Sequence, residues 1–291
     1  MSASSAAATP DTTRYRSQYT LSAGYAAGPF RASFTQRYRT GLFLRVATPS
    51  ARIGYDTRFL TLSAIGDGRS LDSTRRVEAS AVIRPLSFVY LSGAVGGEQA
   101  NVGADTTSLR QFSRAEGGIR VFDVWMSGGI LTREATPLKA PRIFSRDFRD
   151  TADVAAQAVY ATIRGRVWKA VYVDLQGVQW SDTGSLYRPR YQTRSEVYVS
   201  TSLLDKIPSG NFHLLASAVH EYRSSTVWPT SADPIRVAGY RTVSTLLQVR
   251  IVSAELFWNF RNILGERYEQ IPGYGLPRLT NIYGVRWEFW N

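Results

Sequence analysis

The sequence lacks several residue types that whole classes of function require. Its 291 residues include no cysteine, which excludes disulfides, cysteine-bound metals and thiol nucleophiles. Only two histidines are present, His213 and His220, so metal binding and acid–base catalysis have few candidates. Long apolar runs are also missing, and a membrane-spanning helix needs about 20 consecutive apolar residues. We therefore expect no bound metal, no cofactor and no transmembrane helix.

Lysine is scarce in a chain that is strongly basic. The sum of Lys and Arg is 35 against 23 Asp and Glu, for a net charge of +12, yet only Lys139, Lys169 and Lys206 are lysines. Arginine makes forked contacts to carboxylates and phosphates and stays charged when partly buried, although a GC-rich genome would also favour it. Nucleic-acid binders usually cluster such charge on one face. Here the arginines are spread through the chain, which argues against nucleic acid as a partner.

The first residues, MSASSAAATP, are small and polar. They lack the basic and apolar regions of a secretory signal. They are consistent with the remnant of a processed signal, an artificial start or a flexible tail, and we assign residues 1–14 to an N-terminal tail.

Apolar and polar residues alternate from Tyr15 to the C-terminus. In one segment Val77, Ala79, Ala81 and Ile83 are apolar, and the residues between them are mostly polar. A period of two is typical of strands with two different faces. The pattern predicts about fourteen strands, at residues 15–25, 30–46, 52–65, 74–84, 86–97, 107–121, 122–133, 151–164, 166–180, 191–203, 211–224, 237–250, 252–264 and 278–290.

The predicted connections alternate between short turns and longer polar loops, which is typical of an up-and-down sheet. Strands of ten or more residues suit a tilted membrane span better than a soluble sheet. Aromatic residues gather near the predicted strand ends, as in the girdles of membrane barrels; they are Tyr15, Tyr25, Trp125, Trp168, Trp180, Tyr191, Tyr222, Trp258 and Trp287. We therefore predict an antiparallel transmembrane β-barrel over residues 15–291, with short periplasmic turns and longer extracellular loops.

The C-terminal segment FRNILGERYEQIPGYGLPRLTNIYGVRWEF resembles the last hairpin and strand of TonB-dependent outer-membrane receptors. The matching loop positions are Asn262, Ile263, Tyr268, Pro272, Gly273, Pro277 and Arg278, and the matching strand positions are Tyr283, Val285, Trp287 and Phe289. The resemblance implies residence in the bacterial outer membrane, contact with its lipid, and binding or passage of a solute.

The alternating strand from Tyr283 to Phe289 also resembles the signal that barrel-assembly machinery recognises. The sequence departs from that pattern because Trp290 and Asn291 follow the phenylalanine that is normally terminal. The alternative interpretation is an ordinary amphipathic strand.

The plug domain of that receptor family has no counterpart before Tyr15. The sequence is consistent with a smaller relative without a plug, or with the C-terminal part of a longer receptor. A plug or another envelope protein supplied by a second chain is a possible partner, and energy-coupled uptake does not carry over to this chain alone.

The charged side of the predicted strands would line the lumen, and arginines outnumber acids there. A basic channel concentrates anions, so we predict an anionic or chelated solute. The solute-contact candidates are Arg223, Arg241, Glu255, Arg261 and Arg286. Two alternatives stay open: the charges brace neighbouring strands as ion pairs, or the chain is a structural barrel subunit filled by a partner.

Catalysis is not expected. His213 and Ser217, like His220 and Ser224, are four residues apart on one predicted strand, about 13 Å at roughly 3.3 Å per residue. That separation is too long for a base to activate a nucleophile directly.

Overall fold

The computed structural model describes residues 15–41, 45–68, 75–101, 107–135, 137–138, 151–152, 155–181, 187–203, 207, 209–230 and 232–287. Within these ranges the chain forms strands and turns and no helix. No described helix is therefore long and apolar enough to cross a membrane. Residues 1–14, assigned above to a tail, lie outside the described ranges.

The chain forms a main sheet and three short hairpins. The main sheet contains β1 (Tyr15–Ala27), β2 (Phe30–Gly41), β3 (Arg45–Asp56), β4 (Leu60–Gly68), β5 (Arg75–Leu86), β6 (Val89–Asn101), β7 (Thr107–Val121), β8 (Val124–Arg133), β11 (Ala156–Trp168), β12 (Val171–Trp180), β13 (Tyr191–Thr201), β14 (Phe212–Arg223), β17 (Tyr240–Ile251), β18 (Ala254–Arg261) and β21 (Thr280–Trp287). The hairpins are β9 (Pro137–Leu138) with β10 (Thr151–Ala152), β15 (Thr226–Trp228) with β16 (Ile235–Val237), and β19 (Tyr268–Ile271) with β20 (Tyr274–Leu276).

The fold is all-β, antiparallel and up-and-down, as predicted. The fifteen strands of the main sheet are hydrogen-bonded in sequence order from β1 to β21. No pairing between β1 and β21 is found among the described residues. The established fold is therefore an up-and-down sheet, and its closure into a barrel remains a prediction.

The chain divides into two compact units. The N-terminal unit contains residues 1–116 and 132–136, and the C-terminal unit contains residues 117–131 and 137–291.

The N-terminal unit has one apolar and one polar face. A row of paired positions crosses β1 to β6 on the apolar face, namely Tyr25, Ala32, Ile53, Ala64, Ala79 and Val95. The neighbouring register puts Ser33, Arg52 and Glu78 on the other face. Tyr25 is 63% exposed and Val95 is 60% exposed, so the apolar face is not covered by any described part of this unit.

The C-terminal unit repeats this arrangement. Its apolar face carries a row formed by Val171, Val199, Ala216, Leu247, Trp258 and Tyr283. Its polar face carries a row formed by Gln176, Arg194, Glu221 and Thr242. Large apolar side chains lie exposed on the first face, including Leu247 and Tyr283. Since neighbouring residues of a strand point to opposite faces, the register separates apolar from charged side chains completely in these rows.

The structure contains one more main strand than the fourteen predicted. Three strands, β2, β3 and β4, replace the predicted ranges 30–46 and 52–65, and Pro49, between those ranges, lies inside β3. Pro49 pairs with Gln36 of β2, but the ladder between β3 and β4 starts at Ser50. Proline is tolerated in a strand where its missing N–H breaks no ladder bond, and Pro49 lies just beyond the β4 ladder.

The predicted break between the ranges 151–164 and 166–180 is also wrong, because Gly165 and Arg166 lie inside β11 and the chain reverses after Trp168. Gly165 has a φ of 149°, and a Cβ atom there would lie 2.0 Å from the carbonyl oxygen of Asp123. The glycine therefore serves a close backbone approach to the turn between β7 and β8. The Arg166 guanidinium donates to the Asp123 carboxylate at the same contact.

We predict that Gly165→Ala destabilises the protein by roughly 1–3 kcal/mol, the usual cost of a strained backbone position, with the steric clash in addition. The measurement is the urea midpoint of the refolded protein, followed by tryptophan fluorescence. Gly66→Ala is the matched control, because a Cβ atom at Gly66 meets nothing within 4 Å. Equal midpoints for the two variants would contradict the close-approach explanation.

Candidate functional site

A polar cavity of about 470 Å³ lies on the polar face of β12, β13, β14 and β17. The polar side chains that line it are those of Gln176, Gln192, Arg194, Glu221, Arg223, Tyr240 and Gln270. All belong to the C-terminal unit. A pocket of this size with convergent polar groups is typical of a small-molecule site.

The strand register brings these side chains together. One row across the strands contains Gln176, Arg194 and Glu221, and the next contains Gln192, Arg223 and Tyr240. The two rows are separated by two residues along each strand, so they share a face. Sequence alternation could place each residue on a face, but only the register places the rows side by side.

The charged side chains of the cavity differ in how closely each is paired with an opposite charge. Arg194 Nη2 lies 2.8 Å from Glu196 Oε2, and its Nε lies 3.6 Å from Glu221 Oε1. No hydrogen bond or ion pair joins Arg223 to another described side chain. Arg194 is thus largely neutralised by Glu196, whereas Glu221 is only loosely bound and Arg223 faces the cavity without a described counter-ion.

The hairpin β19–β20 borders the cavity. The Gln270 amide donates to the Tyr240 hydroxyl over 3.0 Å, and the rings of Tyr240 and Tyr268 lie 4.4 Å apart between centroids. Burial raises the pKa of the Tyr268 phenol, with a further contribution from Tyr240. The family-motif residue Tyr268 therefore attaches this hairpin to the strand that lines the cavity.

Asn262, another motif residue, closes the loop that carries this hairpin. Its side-chain amide donates to the carbonyl oxygens of Glu266, over 2.8 Å, and of Pro277, over 3.2 Å. Its backbone N–H donates to Ser244 Oγ. Asn262 is 3% exposed and has a φ of 52°, a conformation that asparagine tolerates better than most residues. One side chain thus joins the start of the loop to its end.

Arg241 is on the face opposite to the one predicted. It pairs with Tyr222, and it shares the register of the apolar residues Val243 and Leu247, whereas its neighbour Tyr240 pairs with Arg223 on the polar face. Its guanidinium Nε lies 2.9 Å from Glu266 Oε1, and this hydrogen bond lowers the pKa of the Glu266 carboxyl. Arg241 is the second residue of β17 and lies next to the loop. Its ion pair with Glu266 therefore stabilises the loop, and Arg241 does not line the cavity.

The other predicted contact residues lie on the polar face, outside the cavity. Glu255 pairs with Arg286 in register, and Arg286 Nη1 lies 3.3 Å from Glu255 Oε1. Arg261 shares that face, opposite Thr280. The structure therefore brings only Arg223 of the five candidates into the cavity.

The residues proposed as an assembly signal share the apolar face of β21. Tyr283, Val285 and Trp287 are 71%, 61% and 59% exposed. Phe289 lies outside the described residues. Of the remaining loop-motif residues, the Pro277 carbonyl accepts the Asn262 amide and Arg278 is exposed.

The loops also contain a small packed cluster that the alternation of apolar and polar residues did not predict. Trp228 and Val237 of the hairpin β15–β16 are buried, and they pack against Tyr187, Ile235 and Ile271. The Trp228 indole donates to Thr226 Oγ1 over 3.2 Å. The short apolar segments Thr-Val-Trp and Ile-Arg-Val, on either side of Asp233-Pro234, were the available signal for this hairpin.

The structure pairs His213 with a serine that its sequence spacing did not indicate. His213 Nε2 lies 3.2 Å from Ser200 Oγ on the neighbouring strand. No described carboxylate or amide side chain hydrogen-bonds to His213, so no third group orients the imidazole in the way a catalytic triad requires. In the described part of the chain no three His, Asp or Glu side chains cluster to hold a metal ion.

Comparison with known proteins finds similarity in solved structures only. No family model matches the sequence, and no curated protein does. The ferric-catecholate import receptor Fiu from Escherichia coli K12, in its closed form, is 11% identical with a TM-score of 0.48, over 87% of this chain and 50% of that chain. The ferric yersiniabactin uptake receptor FyuA from Yersinia pestis is 11% identical with a TM-score of 0.43, over 92% of this chain and 56% of that chain. This chain thus spans about half the length of either structure.

We predict that Asn262→Ala loosens the loop over residues 262–279, because the carbonyls of Glu266 and Pro277 lose the amide of buried Asn262 as their donor, at a local cost of roughly 1–3 kcal/mol. Hydrogen exchange read by mass spectrometry measures the effect as faster exchange in loop peptides with unchanged exchange in β14. The control is Asn281→Ala, at an exposed position of β21. Unchanged loop exchange in Asn262→Ala would show that the loop does not depend on this side chain.

Proposed function

We propose that the chain is an outer-membrane β-barrel whose apolar face contacts lipid and whose polar face binds or passes a solute. The observation that carries this proposal is the distribution of exposure. Apart from Pro189 and Pro272, the buried apolar residues of the described chain are only Ala94, Ala156, Ala158, Trp228 and Val237, while large apolar side chains are exposed along both units. A water-soluble monomer rarely exposes a contiguous apolar face of this extent.

Lipid is the environment that suits both faces. A transmembrane barrel alternates apolar residues facing lipid with polar residues facing the lumen. Closure of the sheet would also satisfy the edge strands β1 and β21, whose unpaired backbone groups are costly in lipid. The C-terminal resemblance supports the outer membrane as the location and the barrel-assembly machinery as a partner.

Ion pairs on the polar face also support the alternative function of a structural barrel filled by a partner chain. Arg76 with Glu78, Arg164 with Asp174 and Arg286 with Glu255 form such pairs. Exposed pairs of this kind contribute little to stability, and because each joins one arginine to one acid they leave the net charge of +12 unchanged. This excess of positive charge favours an anionic solute, and no catalytic role is proposed.

We predict that adjacent residues of β17 report two different environments. The chain has no cysteine, so Leu247→Cys and Gln248→Cys each give a single site for a spin label. In lipid vesicles the label at position 247 is expected to collide more with oxygen, which is concentrated in lipid, and the label at position 248 more with a water-soluble nickel complex. Electron paramagnetic resonance measures both.

Each of these variants serves as the control for the other, because the two positions differ by one residue and lie on opposite faces. Equal accessibility of both labels to the nickel complex would exclude a lipid-facing sheet. A label at exposed Arg236, in the loop hairpin, gives the value for full exposure to water.

We also predict anion selectivity of the barrel in planar bilayers under a KCl gradient. Arg261→Glu should shift the reversal potential toward that of K⁺, because it replaces a positive charge on the polar face with a negative one. Arg236→Glu, which makes the same charge change in a loop, should shift it less. A wild-type reversal potential on the K⁺ side would contradict the anionic solute.

A further inference from the structure

The geometry points to the cavity around Arg223 and Glu221 as a binding site for a small zwitterion, with a carboxylate on Arg223 and an ammonium group on Glu221. This inference rests on the proposed function, in which the polar face meets the solute, and it concerns the ligand of this cavity alone.

The two charges do not satisfy each other, although their spacing allows it. Arg76 and Glu78 form an ion pair of 2.6 Å, and Arg194 and Glu196 form one of 2.8 Å, in both cases across two residues of one strand. Glu221 and Arg223 have the same spacing and are not paired. Glu221 instead makes a long contact of 3.6 Å to Arg194, and Arg194 already has its short bond to Glu196.

When Glu196 is counted with the lining residues, the cavity has no net charge to favour a simple anion. Arg194 and Arg223 are its cations, Glu221 is its carboxylate, and Glu196 offsets Arg194 next to it. An anion on Arg223 would lie beside the Glu221 carboxylate and be repelled. A ligand with both charges meets an opposite charge at each end, which is the electrostatic complementarity that gives specificity.

Neutral groups complete the site. Gln192 is paired with Arg223 on the neighbouring strand. Gln176 lies in the same row as Glu221, two strands away. Each amide offers both donors and acceptors, which suits the peptide or hydroxyl groups of a ligand between its charged ends. The side chains of Glu221 and Arg223 originate two residues apart on a strand, roughly 7 Å, and a cavity of about 470 Å³ accommodates a dipeptide.

The test uses a zwitterionic dipeptide and two blocked forms of it, each of which lacks one of its two charges. Glycylglycine is the zwitterion, N-acetylglycylglycine lacks the ammonium group, and glycylglycinamide lacks the carboxylate. Saturation-transfer NMR on the protein in nanodiscs measures their affinities. Glycylglycine is expected to bind most tightly, and equal or tighter binding of either blocked dipeptide would overturn the inference.

Two substitutions test the assigned contacts. Arg223→Gln should weaken glycylglycine binding by roughly ten- to a hundredfold, the range for hydrogen bonds to charged groups. Glu221→Gln should weaken it similarly and should make N-acetylglycylglycine the better ligand. Arg52→Gln, on the polar face of β3 in the N-terminal unit, is the matched control and should leave binding unchanged.

The outcome is separable from that of the proposed function. If the labels at positions 247 and 248 report lipid and water while glycylglycine does not bind, the zwitterion site is wrong and the membrane barrel stands. If both labels report water, the barrel is wrong whatever the dipeptide does. Folding of each variant is checked by its β-sheet circular dichroism, and the charge-swapped double variant Glu221→Arg with Arg223→Glu should retain zwitterion binding.

Discussion

The structure depends on antiparallel pairing of each strand with the next strand in sequence. This pairing satisfies the backbone N–H and C=O groups and fixes a register in which side chains two residues apart share a face. A slip of one residue would turn the arginines of a strand toward the apolar face of the sheet and its leucines and tyrosines toward the polar face. The separation of apolar from charged surface, the rows of the cavity and the ion pairs all require that register.

Much of the fold could be predicted from the sequence because strand alternation is a local signal. The strands around residues 77–83 and 254–260 have the predicted alternation, and the fold class follows from it. The errors arose at residues that usually form turns but lie within strands of this sheet. Pro49 and Gly165 are typical turn residues, yet one lies at the edge of a ladder and the other permits two backbones to approach. Such close approaches join residues far apart in sequence.

The candidate site was predictable in part. Arg223, Glu255, Arg261 and Arg286 follow the alternation of their strands, so their face could be assigned. Arg241 also follows the alternation of its strand, on the face of Val243 and Leu247; what the sequence could not show is its ion pair with Glu266, 25 residues away. Trp125 and Trp180 of the predicted aromatic girdle belong to the register of the polar face. Arg188 lies over the Trp180 ring, 4.0 Å from its centroid. The cavity itself requires the register of four strands, which no single segment contains.

The Asn262 clamp has a consequence for the evolution of the loop it closes. One side chain holds both ends of the segment from residue 262 to residue 277. A change in the length of the loop tip therefore leaves the flanking strands in place. Lengthening a closed loop costs little, about 0.6 kcal/mol for each doubling. New sequence between Ile271 and Tyr274 could therefore change what the mouth of the cavity admits while the strands beneath keep their pairing.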